Sequence, residues 1–203
     1  LIEALKLGQS ASTIEAAVGA RGWSSEKKTR QIAEPLLAAH PQEAPMPDAD
    51  DLQQALLAAR IIGHAQGFRV LAAASDEFAW QLDMARISEI WRAGCIIRSA
   101  LLDDFATAFR SELPGGELIL APAIRELLDG SIGALRRVVA TAVLSGVAVP
   151  ALGASLAGYD TIRRGRGTAH LIQAQRDFFG AHGFERLDQE GSHHGDWAVI
   201  RTP

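Results

Sequence analysis

The side chains best suited to chemistry in this 203-residue chain are histidines and arginines near its C-terminal end. Three imidazoles, those of His182, His193 and His194, are of the kind that binds zinc, but their spacing matches no standard zinc arrangement. The sequence also contains no Cys-x-x-Cys, no His-Glu-x-x-His, no phosphate loop with Gly-Lys-Ser/Thr and no Gly-x-Ser-x-Gly. We therefore predict neither a metal site nor a known catalytic motif.

A basic cluster formed by Arg163, Arg164 and Arg166 could bind nucleic acid or a phosphate. The whole chain carries a net charge of -4, whereas nucleic-acid-binding proteins usually present a strongly basic face, so an exposed basic helix end is the simpler interpretation. The glycines of Gly165-Arg166-Gly167 follow a predicted helix and lack the third glycine of a dinucleotide-binding turn. Taken from its neighbours alone, Arg176 would be a solvated helix arginine paired with Asp177 or Glu185.

Hydrophobic residues recur at three- and four-residue steps through most of the chain, which predicts an all-α fold without strands. Two short helices are predicted over 12–20 and 25–38, with Ser24 and Ser25 offering hydroxyl N-caps for the second. A proline-rich connector follows over 39–48, and Asp48 to Asp51 supply capping acids for the next helix. Further helices are predicted over 52–71, 83–91, 95–109, 125–147, 151–163 and 169–179.

Two glycines, Gly63 and Gly67, lie inside the helix predicted over 52–71. Each costs stability relative to alanine, so they predict a close contact with another helix. His64 lies between them on an apolar face, where we expect a hydrogen-bonded core histidine.

The composition and the N-terminal residues indicate the cellular compartment and the extent of the protein. Hydrophobic residues make up 48% of the chain, but no stretch is as long and apolar as a membrane span. Cys95 is the single cysteine and cannot form an intramolecular disulfide, so a reducing compartment is expected. The N-terminal residues lack both a methionine and the pattern of a signal peptide, so we expect the chain to begin within a longer protein.

Residues 171–182, with the sequence LIQAQRDFFGAH, resemble the signature near the C-terminus of the 6-phosphogluconate dehydrogenases. Three more stretches agree in the same order: Ala20-Arg21 followed by Ser24-Ser25, then HAQGF over 64–68, then WRAGCIIRS over 91–99. The similarity runs over essentially the whole chain. It implies a helical substrate-binding and dimerisation domain over 1–182 and an extended tail over 183–203 that reaches the partner subunit. It also implies that the family's N-terminal Rossmann domain is absent from this chain.

The function implied by this resemblance is oxidative decarboxylation of 6-phosphogluconate to ribulose 5-phosphate, in the pentose phosphate pathway and gluconate utilisation. NADP would be bound mainly by the absent N-terminal domain, and the family's lysine base and glutamate acid lie upstream of Leu1. No catalytic residue is therefore expected in this chain, which alone should be inactive. The resemblance further implies a cytoplasmic homodimer that binds a phosphorylated sugar acid and neither nucleic acid nor membrane.

Three substrate-binding residues follow from the same resemblance. Arg21 matches the arginine that contacts the sugar phosphate from the same subunit, while Arg176 and His182 match residues that reach into the partner's site. Guanidinium groups suit a dianionic phosphate, and a histidine can donate to a sugar oxygen. Arg21 could instead be a cation at the end of a short helix, near exposed carbonyls. Arg176 and His182 can converge only if their helix ends near Gly180 as a C-cap.

The sequence departs from the family pattern at a few positions. The usual Thr-Tyr after the motif histidine is Gly183-Phe184, a typical His-Thr-Asn-Trp is His194-Gly195-Asp196-Trp197, and the usual proline before the last helix is Thr168. These changes leave the expected fold intact but keep two alternatives open. One is a related dehydrogenase acting on another β-hydroxyacid, and the other is a non-enzymatic helical dimerisation domain.

Overall fold

The computed structural model describes residues 1–197 of the chain. These residues divide into two compact units, Leu1–Gly158 and Tyr159–Pro203, the second described as far as Trp197. Helices dominate, and the predicted all-α fold is confirmed. No helix among residues 1–197 has the length and apolar character needed to cross a membrane.

The first unit is built from helices. In chain order they are α1 (Ile2–Lys6), α2 (Ser12–Ser25), α3 (Lys27–Ala33), α4 (Ala49–Glu77), α5 (Met84–Trp91), α6 (Leu101–Phe109), α7 (Pro122–Leu144) and α8 (Pro150–Ile162), which begins in this unit. Two short 3-10 turns, Pro114–Gly116 and Leu118–Leu120, connect α6 to α7. Residues 38–48 contain neither helix nor strand.

The core of this unit lies where α4 packs against α7. The α4 helix begins at a predicted cap, because the Asp48 carboxylate accepts a hydrogen bond from the Asp51 amide at 2.8 Å. The predicted close contact at the two glycines of α4 is confirmed. A Cβ on Gly63 would lie 3.4 Å from Thr13 Cγ2, and one on Gly67 would lie 3.9 Å from Ile14 Cδ1, so both glycines face α2.

An aromatic cluster joins α4 to α5 and α6. The buried Phe68 ring lies 4.8 Å from Phe109 and 5.5 Å from Trp91, measured between ring centroids. His64 borders the cluster, with its ring 5.4 Å from Phe105 and its Nδ1 2.7 Å from the Arg60 carbonyl oxygen. Burial lowers the pKa of His64, although the hydrogen bond to Arg60 acts in the opposite direction. The expected hydrogen bond of His64 is confirmed, but the side chain is half-buried at the edge of the core and not inside it.

Several predicted helix ends are wrong. The α2 helix continues five residues beyond the predicted end, so Arg21 lies inside it, and α3 is shorter than predicted. Ser24 and Ser25 do not cap α3, because their hydroxyls donate back to the carbonyls of Arg21 and Gly22 within α2. The helix predicted from Cys95 begins only at Leu101, after Gly94 adopts a left-handed φ of 80°.

The second unit contains α9 (Thr168–Gly180) and two short antiparallel strands, β1 (Phe184–Glu185) and β2 (Ser192–His193). Phe184 pairs with His193 and Glu185 pairs with Ser192. The expectation that the chain forms no strand is therefore wrong, since two-residue strands are too short to show alternation. The division into a domain over 1–182 and a tail over 183–203 stays a prediction, and residues 198–203 of that tail lie outside the described residues.

Candidate functional site

Arg21 is carried by α2, a helix that buries none of its own side chains and is held largely by polar contacts at its first turn. The N-cap position is Ala11, which has no side-chain acceptor for the first amides. Gln66 of α4 takes this role: its Oε1 accepts from the Thr13 amide at 2.9 Å, and its Nε2 lies 3.2 Å from Ser12 Oγ. The Thr13 hydroxyl also lies 3.1 Å from Ser155 Oγ on α8. These contacts fix α2 on the first unit.

The guanidinium of Arg21 is exposed and makes no ion pair with any side chain among residues 1–197. Since α2 runs on to Ser25, the alternative of a cation placed on the last carbonyls of a short helix is wrong. The carbonyl of Arg21 itself accepts from the Ser24 hydroxyl at 2.6 Å. Arg21 therefore offers an uncompensated guanidinium to solvent or to a ligand.

Arg176 is exposed on α9 in the second unit. Its Nη1 donates to Gln173 Oε1 at 2.9 Å, one turn earlier on the same helix. The alternative that pairs Arg176 with Asp177 or Glu185 is wrong. The buried Asp177 carboxylate accepts from four other donors, and within residues 1–197 no ion pair joins Arg176 to Glu185. The side-chain amide of Gln173 is neutral, so the positive charge of Arg176 is uncompensated. The remaining N–H groups of Arg176 can donate to an anion.

Asp177 is a functional residue that the sequence pattern did not predict. Its side chain is 2% exposed and accepts four hydrogen bonds, two at each oxygen. Oδ1 accepts from the Gly183 amide at 2.8 Å and from His194 Nδ1 at 2.7 Å. Oδ2 accepts from the Gly195 amide and from Trp197 Nε1, both at 2.8 Å. A carboxylate cannot donate, so His194 carries the proton on Nδ1.

These donors determine the charge of Asp177. The Gly195 amide contributes most, and with Trp197, His194 and Gly183 it holds the pKa of the carboxyl far below its usual range, although burial acts in the opposite direction. Asp177 is therefore an anion at neutral pH. A signal for it exists in the sequence: an aspartate in the last turn of a helix faces the negative end of the helix dipole, so it needs compensating partners elsewhere.

His182 follows the end of α9, which stops at Gly180 as predicted. The left-handed residue is Ala181, with a φ of 50°, so the expected glycine C-cap is wrong. Gly180 has a different role, since a Cβ there would lie 2.6 Å from His182 Nε2 and the imidazole occupies that space. His182 is exposed, and it shares the second unit with Arg176 while Arg21 belongs to the first.

Two departures from the family pattern now have a physical reason. Gly183 has a φ of 76°, and a Cβ there would overlap the Ser192 hydroxyl. A Cβ on Gly195 would overlap the indole of Trp197, which lies directly over it. The missing side chains at both positions allow residues 192–197 to pack closely against the end of α9.

His193 and Arg163, the first residue of the basic cluster, have local partners. His193 Nε2 lies 3.1 Å from the Glu190 carbonyl oxygen, and Arg163 forms an ion pair with Asp160 at 2.7 Å. Within the described part of the chain, no three His, Cys, Asp or Glu side chains are grouped closely enough to hold a metal ion. Arg164 lines a small cleft of about 230 Å³ beside Gly167 and Thr168.

Comparisons with known proteins agree on one family. The model of the 6-phosphogluconate dehydrogenase C-terminal domain matches residues 1–197. Decarboxylating 6-phosphogluconate dehydrogenases of Klebsiella pneumoniae and Escherichia coli are each 42% identical to the chain over 197 residues, which is 95% of the chain and 42% of the relative. A chloroplastic form from Spinacia oleracea is 37% identical over 98% of the chain and 39% of its own length.

A solved structure gives the same result. The 6-phosphogluconate dehydrogenase of Plasmodium falciparum, studied in its apo form and in complexes with NADP+ and with 6-phosphogluconate, matches with a TM-score of 0.84 and 33% identity. The match covers 97% of this chain and 43% of that one. The chain thus spans less than half the length of the relatives that it matches, 42% in the bacterial enzymes.

Proposed function

The chain belongs to the 6-phosphogluconate dehydrogenase family as its C-terminal domain, and from this premise we propose that it supplies substrate-binding residues to an enzyme that converts 6-phosphogluconate to ribulose 5-phosphate. In this reaction the C3 hydroxyl is oxidised by NADP, and the resulting 3-keto acid loses carbon dioxide because its carbonyl accepts the electron pair of the broken bond. The chain has no dinucleotide-binding glycine turn. We therefore propose that NADP is bound mainly by the N-terminal domain of the family and that the residues of this chain act on the substrate.

The observation that carries the proposal is the uncompensated charge of Arg176. The neighbouring carboxylate, Asp177, is saturated by four donors and is turned away, so the guanidinium contacts only the Gln173 amide. A phosphate dianion offers several acceptor oxygens to such a planar donor, and charge-assisted hydrogen bonds of this kind are stronger than neutral ones. Arg21 offers a second exposed guanidinium, and His182 offers an imidazole that can donate to a substrate oxygen.

We further propose a homodimer in which Arg176 and His182 of one subunit complete a site that contains Arg21 of the other. Exposed apolar side chains on α9 support an interface there: Leu171 is 71% exposed and Phe179 is 75% exposed. Large apolar groups of this kind usually mark an interaction surface when they cluster. A cytoplasmic location is part of the proposal, and the free, half-buried thiol of Cys95 fits a reducing compartment.

Calorimetric titration of the chain with 6-phosphogluconate and with gluconate tests this function. We expect tighter binding of the phosphorylated acid, and we expect Arg176→Ala or Arg21→Ala to weaken it by about tenfold or more, because each removes hydrogen bonds to a charged group. Arg125→Ala is the matched control, since Arg125 is an exposed arginine on α7 outside the proposed site. Equal affinity for the two sugar acids would instead favour a different β-hydroxyacid substrate. No binding of either would favour a non-enzymatic dimerisation domain.

A further inference from the structure

Resting on the proposed function, we infer that Asp177 is a positioning residue, which fixes Arg176 and His182 by fastening residues 194–197 to the end of α9. It does not touch the substrate. It accepts hydrogen bonds from the backbone on both sides of His182, and its carboxylate also binds donors of residues 194–197, which cover it.

The turn that carries His182 is held by Asp177. Asp177 accepts a hydrogen bond on each side of this histidine: its carbonyl accepts from the Ala181 amide at 2.8 Å, and its Oδ1 accepts from the Gly183 amide at 2.8 Å. His182 is therefore bracketed by two bonds to the residue that follows Arg176 in the chain. This pair of bonds sets the direction of the His182 backbone relative to the helical turn that carries Arg176.

The segment 194–197, called the closing segment below, packs onto the Asp177 carboxylate. His194 Nδ1, the Gly195 amide and Trp197 Nε1 supply three of the four donors to the carboxylate. The Trp197 ring also meets Phe178 edge to face, with centroids 5.8 Å apart. These contacts leave Asp177 only 2% exposed. The closing segment is thus attached to the same carboxylate that holds the His182 turn.

The same hydrogen bonds keep the negative charge of Asp177 away from Arg176. An open carboxylate next to Arg176 would compete with a phosphate for the guanidinium and would repel a dianionic ligand. Four donors hold the carboxylate charge inside the unit and away from the surface where Arg176 is exposed. Loss of the segment 194–197 would remove three of these donors and expose the charge. The closing segment therefore supports phosphate binding by covering the Asp177 carboxylate.

The experiment compares three forms of the chain: Asp177→Asn, a chain that ends at His193, and the two changes combined. Calorimetry gives the affinity for 6-phosphogluconate and for gluconate. We expect each single change to weaken 6-phosphogluconate binding roughly tenfold and gluconate binding less, because a misplaced Arg176 affects only the phosphate, whereas a misplaced His182 affects both acids. We expect the combined form to bind no more weakly than the weaker single form, since both changes break the same connection.

A general loss of stability would weaken the binding of both ligands alike, and that result would overturn the inference. Additive effects of the two changes would also overturn it. If either form does not fold, Trp197→Phe removes one donor only and should lower the preference for the phosphorylated acid by roughly threefold. An unchanged preference in that variant would contradict the inference.

Arg176→Ala separates this inference from the proposed function. If the unsubstituted chain does not bind 6-phosphogluconate, or if Arg176→Ala leaves binding unchanged, the proposed function fails and the inference fails with it. If Arg176→Ala weakens binding but Asp177→Asn does not, only the role of Asp177 is wrong.

Discussion

Replacing Gln66 by methionine should loosen α2, the helix that carries Arg21, and leave the core of the first unit intact. Gln66 supplies the acceptor that the N-cap Ala11 lacks, and its amide nitrogen also contacts Ser12 Oγ. Methionine keeps the length and apolar volume of the side chain but removes both polar contacts. The change therefore isolates the hydrogen bonds from the packing of α4.

The magnitude follows from the two contacts. Loss of an N-cap acceptor costs about 1 kcal/mol, and one further hydrogen bond contributes about 1 kcal/mol or less. A sum of about 1–2 kcal/mol corresponds to roughly five- to thirtyfold in an opening equilibrium. Because α2 buries no side chain, little hydrophobic burial opposes this opening.

Hydrogen exchange followed by mass spectrometry measures this effect directly. Peptides from residues 12–25 should exchange roughly five- to thirtyfold faster in Gln66→Met, while peptides from α4 and α7 should keep their rates. Gln53→Met is the matched control, because Gln53 is an exposed glutamine on the same helix. Unchanged exchange over 12–25, or an equal change in the control, would refute the role assigned to Gln66.

Three further predictions concern backbone and charge. Gly183→Ala should destabilise the second unit by about 1–2 kcal/mol in urea unfolding, and by more than Gly191→Ala, because both glycines have positive φ but only Gly183 lacks room for a Cβ. The unfolding free energy should fall as the pH drops below about 6.5, because burial lowers the pKa of His64 and the unfolded chain then binds more protons. His64→Phe should reduce this fall, and an identical fall in the variant would contradict the role of His64. The pKa of Asp177 is also lowered, so the stability of the second unit should fall below about pH 4, which the indole N–H signal of Trp197 reports by NMR. Asp177→Asn should reduce that fall and leave the smaller part that comes from Asp188, whose pKa Arg186 lowers; an undiminished fall would contradict the hydrogen-bond account.

The features that the sequence predicted correctly depend on local pattern. Helical spacing predicted the all-α fold, and the aspartate at 48 predicted the start of α4. The glycines at 63 and 67 predicted a close helix contact, because a glycine inside a helix lowers stability unless another backbone or side chain needs the space of the missing Cβ. The end of α9 at Gly180 also followed from the sequence, although the left-handed residue is the next one.

The features that were missed depend on partners far apart in the chain. Gln66 caps a helix that begins 54 residues earlier, counted from Ser12, and no local rule connects the two. The α2 helix runs past its predicted end because Ser24 and Ser25 bond back into it, whereas their residue types favour an N-cap. From the sequence, Asp177 is expected only as a partner of the adjacent Arg176. Its four donors lie 6 to 20 residues further along the chain, where no local rule connects them to it.

The proposed function requires two copies of this chain to hold one phosphorylated sugar between Arg21 of one subunit and Arg176 of the other. The most direct measurement mixes two variants, Arg21→Ala and Arg176→Ala, each of which should lose tight 6-phosphogluconate binding alone. Unfolding and refolding them together produces mixed dimers in which one of the two sites has both arginines. We predict that calorimetry of the mixture recovers tight binding at about one site per four chains, as random pairing requires. No recovery in a mixture that forms mixed dimers would contradict the shared site.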